Sequence, residues 1–480
     1  MTFEFIAILI LAFFFVFIGW RQRQLDLIED KDKDKTDPIN YPRIRELITS
    51  LFVVIGAGEY AFAIESINSY GFIGPTFLIG LGISLFIISK FIPTVYQILE
   101  KNPTYSTIVD GYRNFTTPDI FYFKFGKYHS LITTIIVVIA FTGLLVLQHV
   151  LGGELLSIVT GMSYEFCVFF MGVIVCFYVI LGGFKALFHT DVIQGIFMWV
   201  ALIALAIYIF LVHPQDINYS STINDLAVKS YDSIMNIGGD QTIIIFFILT
   251  VIAAFGGPDL WQRVSMSSSA ESAVKGVKIA GWTLILFIIP ISIIAIDINA
   301  LDISLEGDAL TNYLKELNNN DGANWPLFMR AIFGIGLVSA FISTGDTAVM
   351  LVSTSLQNEM RRWNFIKAGD NRNLKRKHTN LIILIISTLA VFLATLSPSI
   401  ADQFVAILGV LAIMGLPVFQ ILIGRGTKTS VMIGLLLGII ITIFQVYILS
   451  ETYSTGWLIL LPLLPAVPSF FIKAKTTSNG

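Results

Sequence analysis

The chain has 480 residues, of which 30 are basic and 33 acidic, so only 13% carry charge, about half the share of a typical soluble protein. Hydrophobic residues make up 55% of the sequence. Because a membrane-spanning helix needs about 20 of them, there is room for roughly a dozen spans. A net charge of -3 and the lack of a basic domain give no reason to expect nucleic acid as a partner. The composition predicts an all-α polytopic membrane protein.

Apolar stretches bounded by charged or turn residues predict thirteen transmembrane helices. They run over Phe3–Trp20, Leu47–Ile67, Phe72–Leu99, Ser130–Val159, Phe166–Leu181, Asp191–Val212, Thr242–Gly256, Val277–Leu301, Leu327–Leu356, Asn380–Leu396, Ile400–Ile423, Ser430–Leu449 and Gly456–Ile472. The first stretch has no basic segment before it, and Arg21 and Arg23 follow it. We therefore interpret it as a retained helix and not as a cleaved signal peptide.

The basic residues predict the orientation of these helices. Of the 30 lysines and arginines, 26 lie in the connections after odd-numbered helices or in the tail. Since basic residues accumulate on the cytoplasmic side, we expect a cell-membrane protein with its N-terminus outside and its C-terminus in the cytoplasm. The two longest outer loops, Pro214–Asp240 and Asp302–Pro326, are rich in Asn and Asp. They are either solvated connectors or an extracellular cap over an entry path.

Two of the predicted helices are interrupted by glycines. The second contains Gly56 and Gly58 next to Glu59, and the seventh contains Gly256 and Gly257. Unpaired backbone groups are tolerated in a membrane only where they line a cavity or are buried in protein, although a single glycine can also serve close helix packing. The predicted substrate-binding positions at the two breaks are Gly56, Gly58, Glu59, Phe255, Gly256 and Gly257.

Paired breaks at corresponding places predict an inverted repeat, which is typical of secondary transporters with a binding site at mid-membrane. The pairing implies a core of five plus five helices. We divide the chain into an N-terminal helix and cytoplasmic loop (1–46), a first five-helix repeat (47–213) and an extracellular loop (214–241). A second five-helix repeat (242–424) and two C-terminal helices with a cytoplasmic tail (425–480) follow.

Three acidic side chains lie where a bilayer disfavours them. Glu59 is at the first break, Asp191 begins the sixth predicted helix and Asp346 is inside the ninth. Ionisable residues at membrane depth are candidates for functional sites because burying them is costly. No cluster of His, Asp and Glu with metal-ligand spacing accompanies them, so the sequence predicts no enzyme, no transition-metal site and no organic cofactor.

The ninth predicted helix also carries a polar face. Ala340, Ser343, Thr344 and Thr347 follow the spacing i, i+3, i+4 and i+7 and therefore share one side of the helix. Hydroxyl and carbonyl oxygens suit a hard cation, and the unwound segment from Ala57 to Tyr60 can supply further carbonyls. The alternative for the two hydroxyls of Ser343 and Thr344 is a hydrogen bond back to their own helix.

At these residues the chain resembles the sodium:solute symporter family, whose members share the LeuT-type inverted-repeat fold. Three segments carry the resemblance: Gly182–Gly195, Gly257–Arg263 and Phe341–Thr347. They occur in the family's order and at the corresponding helices. The thirteen-helix layout with an external N-terminus agrees with the family pattern, so the likeness covers almost the whole chain.

The resemblance implies a sodium site and, in some members, a second cation position. The implied sodium ligands are Ala57, Tyr60, Ala340, Ser343 and Thr344. The implied second site contains Asp191, Asp346 and Thr347, together with Ser343. Asp346 departs from the pattern, because members that hold a second sodium use a hydroxyl there. Two carboxylates around one monovalent ion leave excess negative charge, so a proton on one of them is the alternative.

These expectations predict sodium-coupled symport of a small solute across the plasma membrane by alternating access. The substrate is not predicted, since neither the sugar-binding polar cluster nor the aromatic pair of proline carriers is visible near Thr250 to Phe255. The rivals are a proton-coupled carrier on the same fold, with Asp191, Asp346 and Glu59 as a relay, and a transporter-like sensor. The expected partners are the solute and the lipid bilayer.

Overall fold

The computed structural model describes residues 3–32, 57–101, 108–109, 112–113, 115–212, 219–235, 242–301, 310, 312–313, 315, 327–365, 372–396, 400–448 and 456–472. Gly56 and the first half of the second predicted helix lie outside these ranges. For Ala57, Gly58, Glu59 and Tyr60 the structure describes the helical backbone alone.

The described residues are almost entirely helical. The α-helices are α1 (Phe3–Asp32), α2 (Ala57–Tyr70), α3 (Thr76–Ser89), α4 (Ile92–Lys101), α5 (Thr117–Phe125), α6 (Lys127–Thr160), α7 (Tyr164–Val212), α8 (Tyr219–Met235), α9 (Thr242–Gly256), α10 (Pro258–Met266), α11 (Ala270–Leu286), α12 (Ile288–Ala300), α13 (Leu327–Arg362), α14 (Arg372–Ala394), α15 (Ile400–Leu422) and α16 (Lys428–Ile448). Two 3-10 helices cover Gly71–Ile73 and Gly456–Phe471. A two-residue antiparallel hairpin, β1 (Ile108–Val109) and β2 (Tyr112–Arg113), pairs Ile108 with Arg113.

Seven helices within the described ranges are long and apolar enough to cross a membrane. Two bent pairs raise this number to nine if each is one span. One pair joins residues 62–73 to 76–89 at 91°, and the other joins 243–256 to 258–266 at 45°. Three shorter apolar helices cover 5–21, 406–422 and 460–471. The second and third predicted helices thus form one sharply bent pair, and the exact count of thirteen stays a prediction.

Helix α13 is the central element of the bundle. Within its membrane-spanning part, 89% of the most apolar window is buried, and it packs mainly against α6 and α7. Close packing depends on a small residue at Gly336, where an added Cβ would lie 2.1 Å from the Ala201 side chain of α7. Association of helices in lipid relies on such small contact residues, because burial from water does not drive it.

Helix α7 contains a break at Gly183, whose backbone angles are φ 57° and ψ -161°. That conformation is accessible to glycine at little cost and strained for other residues. The break separates one apolar span, Tyr164–Gly183, from a second one, Thr190–Ile209. It therefore marks the boundary between the fifth and sixth predicted helices, and Asp191 lies in the first turn of the second span.

The first of the two long connecting segments contains the 17-residue helix α8, which contacts the end of α2. Lys229 donates a hydrogen bond to the Asn68 carbonyl at 2.9 Å, and the Ser230 hydroxyl accepts one from the Phe72 amide at 2.8 Å. Helix α8 is therefore packed as a cap on α2, and its role as an extracellular cap over an entry path stays a prediction. We call helix α8 and the end of α2 that it contacts the α8 end.

A buried carboxylate holds the cap in place. Asp297 of α12 is fully buried and accepts hydrogen bonds from the phenols of Tyr219 on α8, at 2.7 Å, and of Tyr313, at 2.6 Å. Burial and the hydrogen bond to Asp297 raise the pKa of Tyr219, so its phenol stays protonated and remains a donor. The two hydrogen bonds therefore tie Tyr219 and Tyr313 to α12.

Candidate ion and solute site

The break between α9 and α10 leaves backbone carbonyls that neither helix can pair. Trp261 donates its indole N–H to the Phe255 carbonyl at 2.8 Å, and the Thr117 hydroxyl donates to the Gly256 carbonyl at 2.9 Å. Pro258 begins α10, where a missing backbone donor costs nothing. Side chains of the protein therefore satisfy the carbonyl groups at the break, as an interrupted helix at membrane depth requires.

The three break residues that the sequence singled out face different directions. Phe255 packs edge-on against Phe419 of α15, with ring centres 5.1 Å apart. Gly256 lies so close to α15 that an added Cβ would be 2.3 Å from the Leu411 carbonyl oxygen. Gly257 lines the cavity described next. Of these three residues, Gly257 alone contributes to the cavity wall.

A cavity of about 120 Å³ lies between α3, α6, α9, α10, α13 and α15. Its wall is mainly apolar. The polar residues in the wall are Thr250, Asp259, Arg263, Thr344 and Thr347. An apolar cleft with a few converging polar groups is the usual form of a small-molecule site. The cavity reaches α13 at Thr344, one of the hydroxyls predicted from the sequence to bind sodium.

Ser343 and Thr344 are buried, and neither hydroxyl has a hydrogen-bond partner among the described residues. The same dipeptide recurs ten residues later on α13 with a different outcome. There, Ser353 donates to the Val349 carbonyl at 2.8 Å, and Thr354 donates to the Met350 carbonyl. Back-bonding was the alternative for Ser343 and Thr344, and the structure does not show it. Their oxygens are available to a ligand. Burying a hydroxyl without a partner costs free energy, and a bound ligand would remove that cost.

The other predicted sodium ligands lie on elements that meet at this place. Ala340 is fully buried on α13, one turn before Ser343 and Thr344. Helix α2 begins at Ala57, includes Tyr60 and contacts α13. The predicted ligands thus lie on two helices that are in contact, and the coordination shell itself remains a prediction.

The second predicted site is a buried group of charges. Asp191 and Asp346 are both buried, and Thr347 donates to Asp346 at 3.4 Å. Arg263 of α10 joins the group: one guanidinium nitrogen is 3.4 Å from Asp191 and 2.9 Å from the Thr347 hydroxyl. One carboxylate oxygen of Asp191 and one of Asp346 have no hydrogen-bond partner within the part of the chain that the structure describes.

Arg263 is the component that sequence reasoning missed. It was counted among the loop cations that report orientation, yet it is only 5% exposed. The signal was present, because Arg263 ends one of the segments that resemble the family. Its other guanidinium nitrogen is 3.9 Å from Asp259, which is more exposed and lines the cavity. With Asp191 and Asp346 ionised, the carboxylates around Arg263 outnumber its single positive charge, and the excess negative charge favours a cation.

Gln194 is a second residue that was missed. It lies seven positions before Ala201, the contact of Gly336, and Ser343 lies seven positions after Gly336. Seven residues are nearly two helical turns, so Gln194 and Ser343 lie at the same level of the α7–α13 interface. The Gln194 carboxamide is fully buried, and neither of its polar atoms has a partner among the described residues.

These features define a class of protein: a polytopic helical membrane protein in which broken helices meet at a buried cavity beside unpaired oxygens and charges, as in secondary transporters. The chain belongs to the sodium:solute symporter family, whose model matches residues 51–438. It therefore is a multi-pass protein of the cell membrane, and the resemblance inferred from three segments is confirmed.

Curated relatives share modest sequence identity with the chain. A sodium/pantothenate symporter and a sodium/proline symporter of Haemophilus influenzae are 24% and 23% identical over 297 residues. A sodium/proline symporter of Staphylococcus saprophyticus is 23% identical over 387 residues, which is 75% of this chain and 71% of that one. The chain spans only 58% and 57% of the length of the two Haemophilus proteins in these matches.

Solved structures confirm the fold. A sodium-coupled sialic acid symporter, in a substrate-bound outward-open state, matches with a TM-score of 0.73 at 13% identity, covering 98% of this chain and 96% of that one. A crystal structure of MhsT with L-phenylalanine matches with a TM-score of 0.59 at 16% identity, covering 88% of this chain and 98% of that one. The fold is thus the LeuT type that the family resemblance implied.

Proposed function

We propose that this protein is a secondary active transporter that couples inward movement of sodium to symport of a small solute. The observation that carries the proposal is the pair of buried, unpaired hydroxyls of Ser343 and Thr344. They lie on a helix that contacts α2 and borders the cavity at Thr344. Family membership and the sodium symporters among the relatives support the same coupling ion.

The sodium site of this proposal uses ligands from two helices that belong to different repeats. Ser343, Thr344 and the Ala340 carbonyl come from α13, and the carbonyls of Ala57 and Tyr60 come from α2. The shell is complete only where the two helices are correctly spaced, so sodium binding stabilises one access state over the other. On the low-sodium side the sodium ion dissociates, and its loss permits the solute to leave.

The second cation position consists of Asp191, Asp346 and Thr347, with Arg263 as an internal counter-ion. Because the two carboxylates outnumber the single guanidinium, the group can accept one monovalent cation or one proton. Proton coupling at this position is the second candidate function. The observation that favours it is that Asp346 occupies the position where family members with a second sodium carry a hydroxyl. Uptake that persists without sodium and collapses with the pH gradient is its signature.

The solute-binding region of this proposal is the cavity between α3, α6, α9, α10, α13 and α15. Its small volume and largely apolar wall fit a compact solute with an apolar part, and Asp259, Arg263 and Thr250 supply polar contacts. The relatives named above carry proline, pantothenate and sialic acid. We infer a small solute for this chain too. We also infer that the N-terminus and the α8 end of the protein lie outside the cell and that the C-terminus lies in the cytoplasm.

An uptake assay in proteoliposomes tests the proposal. L-proline, pantothenate, sialic acid and a wider set of amino acids, sugars and carboxylic acids are offered with an inward gradient of sodium or of potassium. We expect at least one solute to accumulate only with the sodium gradient. Sodium-independent accumulation driven by a pH gradient would replace sodium coupling by proton coupling, and failure of sodium to bind the purified protein would refute the proposal.

A further inference from the structure

The polar side chains in the first turn of helix α5 all form hydrogen bonds. Thr116 and Asp119 bond to each other: the Asp119 carboxylate accepts the Thr116 backbone N–H at 2.5 Å and its hydroxyl at 2.9 Å, and the Asp119 backbone N–H donates to the Thr116 carbonyl at 2.9 Å. These hydrogen bonds fix the first turn of the helix. Both residues are buried, as is Thr117 between them and the rest of the turn. The start of α5 is therefore a rigid point of the fold.

This turn is joined to the C-terminal end of α13 by buried charges. The Arg362 guanidinium pairs with Asp119, and the Asn358 amide donates to the same carboxylate at 3.4 and 3.3 Å. Arg362 also pairs with Glu359 at 2.8 Å, and it lies 4.5 Å from the centre of the Tyr122 ring on α5. A buried guanidinium with this many partners holds both helices as one unit.

Glu359 extends the same unit to α6. Its carboxylate accepts the Ser130 hydroxyl at 2.5 Å and the Trp363 indole N–H at 2.8 Å. Helices α5, α6 and α13 are thus connected through side chains that are all buried or nearly so. Since α13 carries Ser343 and Thr344, the helix of the proposed sodium site is joined to α5 by buried side chains.

The same first turn also reaches the broken helix. Thr117, two residues before Asp119, donates its hydroxyl to the Gly256 carbonyl at 2.9 Å, the carbonyl that the α9–α10 break leaves free. Helix α10 contacts α5 as well. One helical turn therefore binds the broken helix through Thr117 and the ion-binding helix through Asp119.

We propose that Thr117 is a positioning residue that transmits the state of the ion-binding helix to the broken helix. Arg263 and Gln262 join α10 to α13 at Thr347 and Thr354, whereas the Thr117 hydroxyl binds the carbonyl at the break itself. A single hydrogen bond at that carbonyl can form in one access state and open in the other. The inference deepens the proposed function and depends on it. It assigns Thr117 a role in coupling and none in binding sodium, since Thr117 contacts no predicted ligand in the described structure.

The test measures how sodium changes access to the cavity. Both native cysteines, Cys167 and Cys176, are replaced by alanine, and Leu260, which lines the cavity on α10, is replaced by cysteine. The full-length purified protein is labelled with N-ethylmaleimide in sodium chloride or in potassium chloride. We expect sodium to change the labelling rate about tenfold, within the range typical of coupling between a ligand and a conformational equilibrium.

Thr117→Val and Thr117→Ser are then compared in this background. Valine matches the shape of threonine without its hydroxyl, and serine keeps the hydroxyl. We expect Thr117→Val to label at one rate in both salts, Thr117→Ser to keep the sodium effect, and both to bind ²²Na⁺ like the parent protein. Retention of the sodium effect in Thr117→Val would overturn the inference, and so would loss of ²²Na⁺ binding in that variant.

The two proposals fail in distinguishable ways. If sodium neither binds the parent protein nor alters its labelling, the proposed function is wrong, and the role of Thr117 falls with it. If the parent responds to sodium and Thr117→Val responds equally, sodium coupling stands and only the role of Thr117 is refuted. Elution of each variant as a single species in gel filtration confirms that the comparison concerns folded protein.

Discussion

Replacement of Ser343 by alanine together with Thr344 by valine tests the sodium site most directly. The two hydroxyls are buried without partners, so the change removes two candidate ion ligands and almost no volume. A contact to a charged group contributes about 1.5–3 kcal/mol, so two contribute about 3–6 kcal/mol. At 1.4 kcal/mol for each factor of ten, the half-saturating sodium concentration should rise roughly 10²- to 10⁴-fold.

The same variant should behave in the opposite way when sodium is absent. An unpaired buried hydroxyl carries a desolvation penalty of about 1–3 kcal/mol, and an apolar replacement of similar shape removes it. We therefore expect the free energy of unfolding in sodium-free buffer to increase or stay constant. Weaker sodium binding combined with undiminished stability is a result that general damage to the fold does not produce.

Ser353→Ala with Thr354→Val is the matched control, because it changes the same dipeptide on the same helix. These hydroxyls already bond to their own helix, so their removal should lower the unfolding free energy by about 1–3 kcal/mol and leave sodium binding intact. Thermal unfolding in detergent is followed while sodium chloride replaces choline chloride at constant ionic strength. An unchanged half-saturating sodium concentration in the Ser343 and Thr344 variant would refute the site.

Three further predictions concern other buried groups. Asp346→Asn removes the excess negative charge of the second site, so proteoliposome uptake should lose one coupled cation or its response to a pH gradient while the first sodium site still saturates; unchanged stoichiometry and pH response would contradict the assignment. Arg362→Gln leaves two buried carboxylates uncompensated and should lower stability to chemical denaturation by about 3–5 kcal/mol, whereas Lys275→Gln in an exposed pair should leave stability unchanged; equal effects of the two substitutions would contradict the role of Arg362. Tyr219→Phe removes a donor to a buried carboxylate and should speed hydrogen exchange throughout α8, while the exposed Tyr231→Phe should not; equal exchange rates would show that the cap is held by other contacts.

The sequence by itself determined those features that arise from neighbouring residues along one helix. Hydrophobic runs of membrane length specified the helices, because a bilayer requires them to satisfy their own backbone. Glycines at two corresponding breaks indicated an inverted repeat, and the i, i+3, i+4 spacing placed Ala340, Ser343 and Thr344 on one face of α13. All of these depend on local geometry that an isolated helix already has.

Only the tertiary structure decided which distant groups meet. Arg263 looks like a loop cation in the sequence, and its position between Asp191 and Thr347 follows from the bend after α9 that turns α10 into the bundle. Asp119 and Arg362 are 243 positions apart, and nothing in either neighbourhood predicts their pairing. A charge is tolerated inside a membrane protein only when a partner neutralises it, and which partner does so depends on how the helices pack against each other.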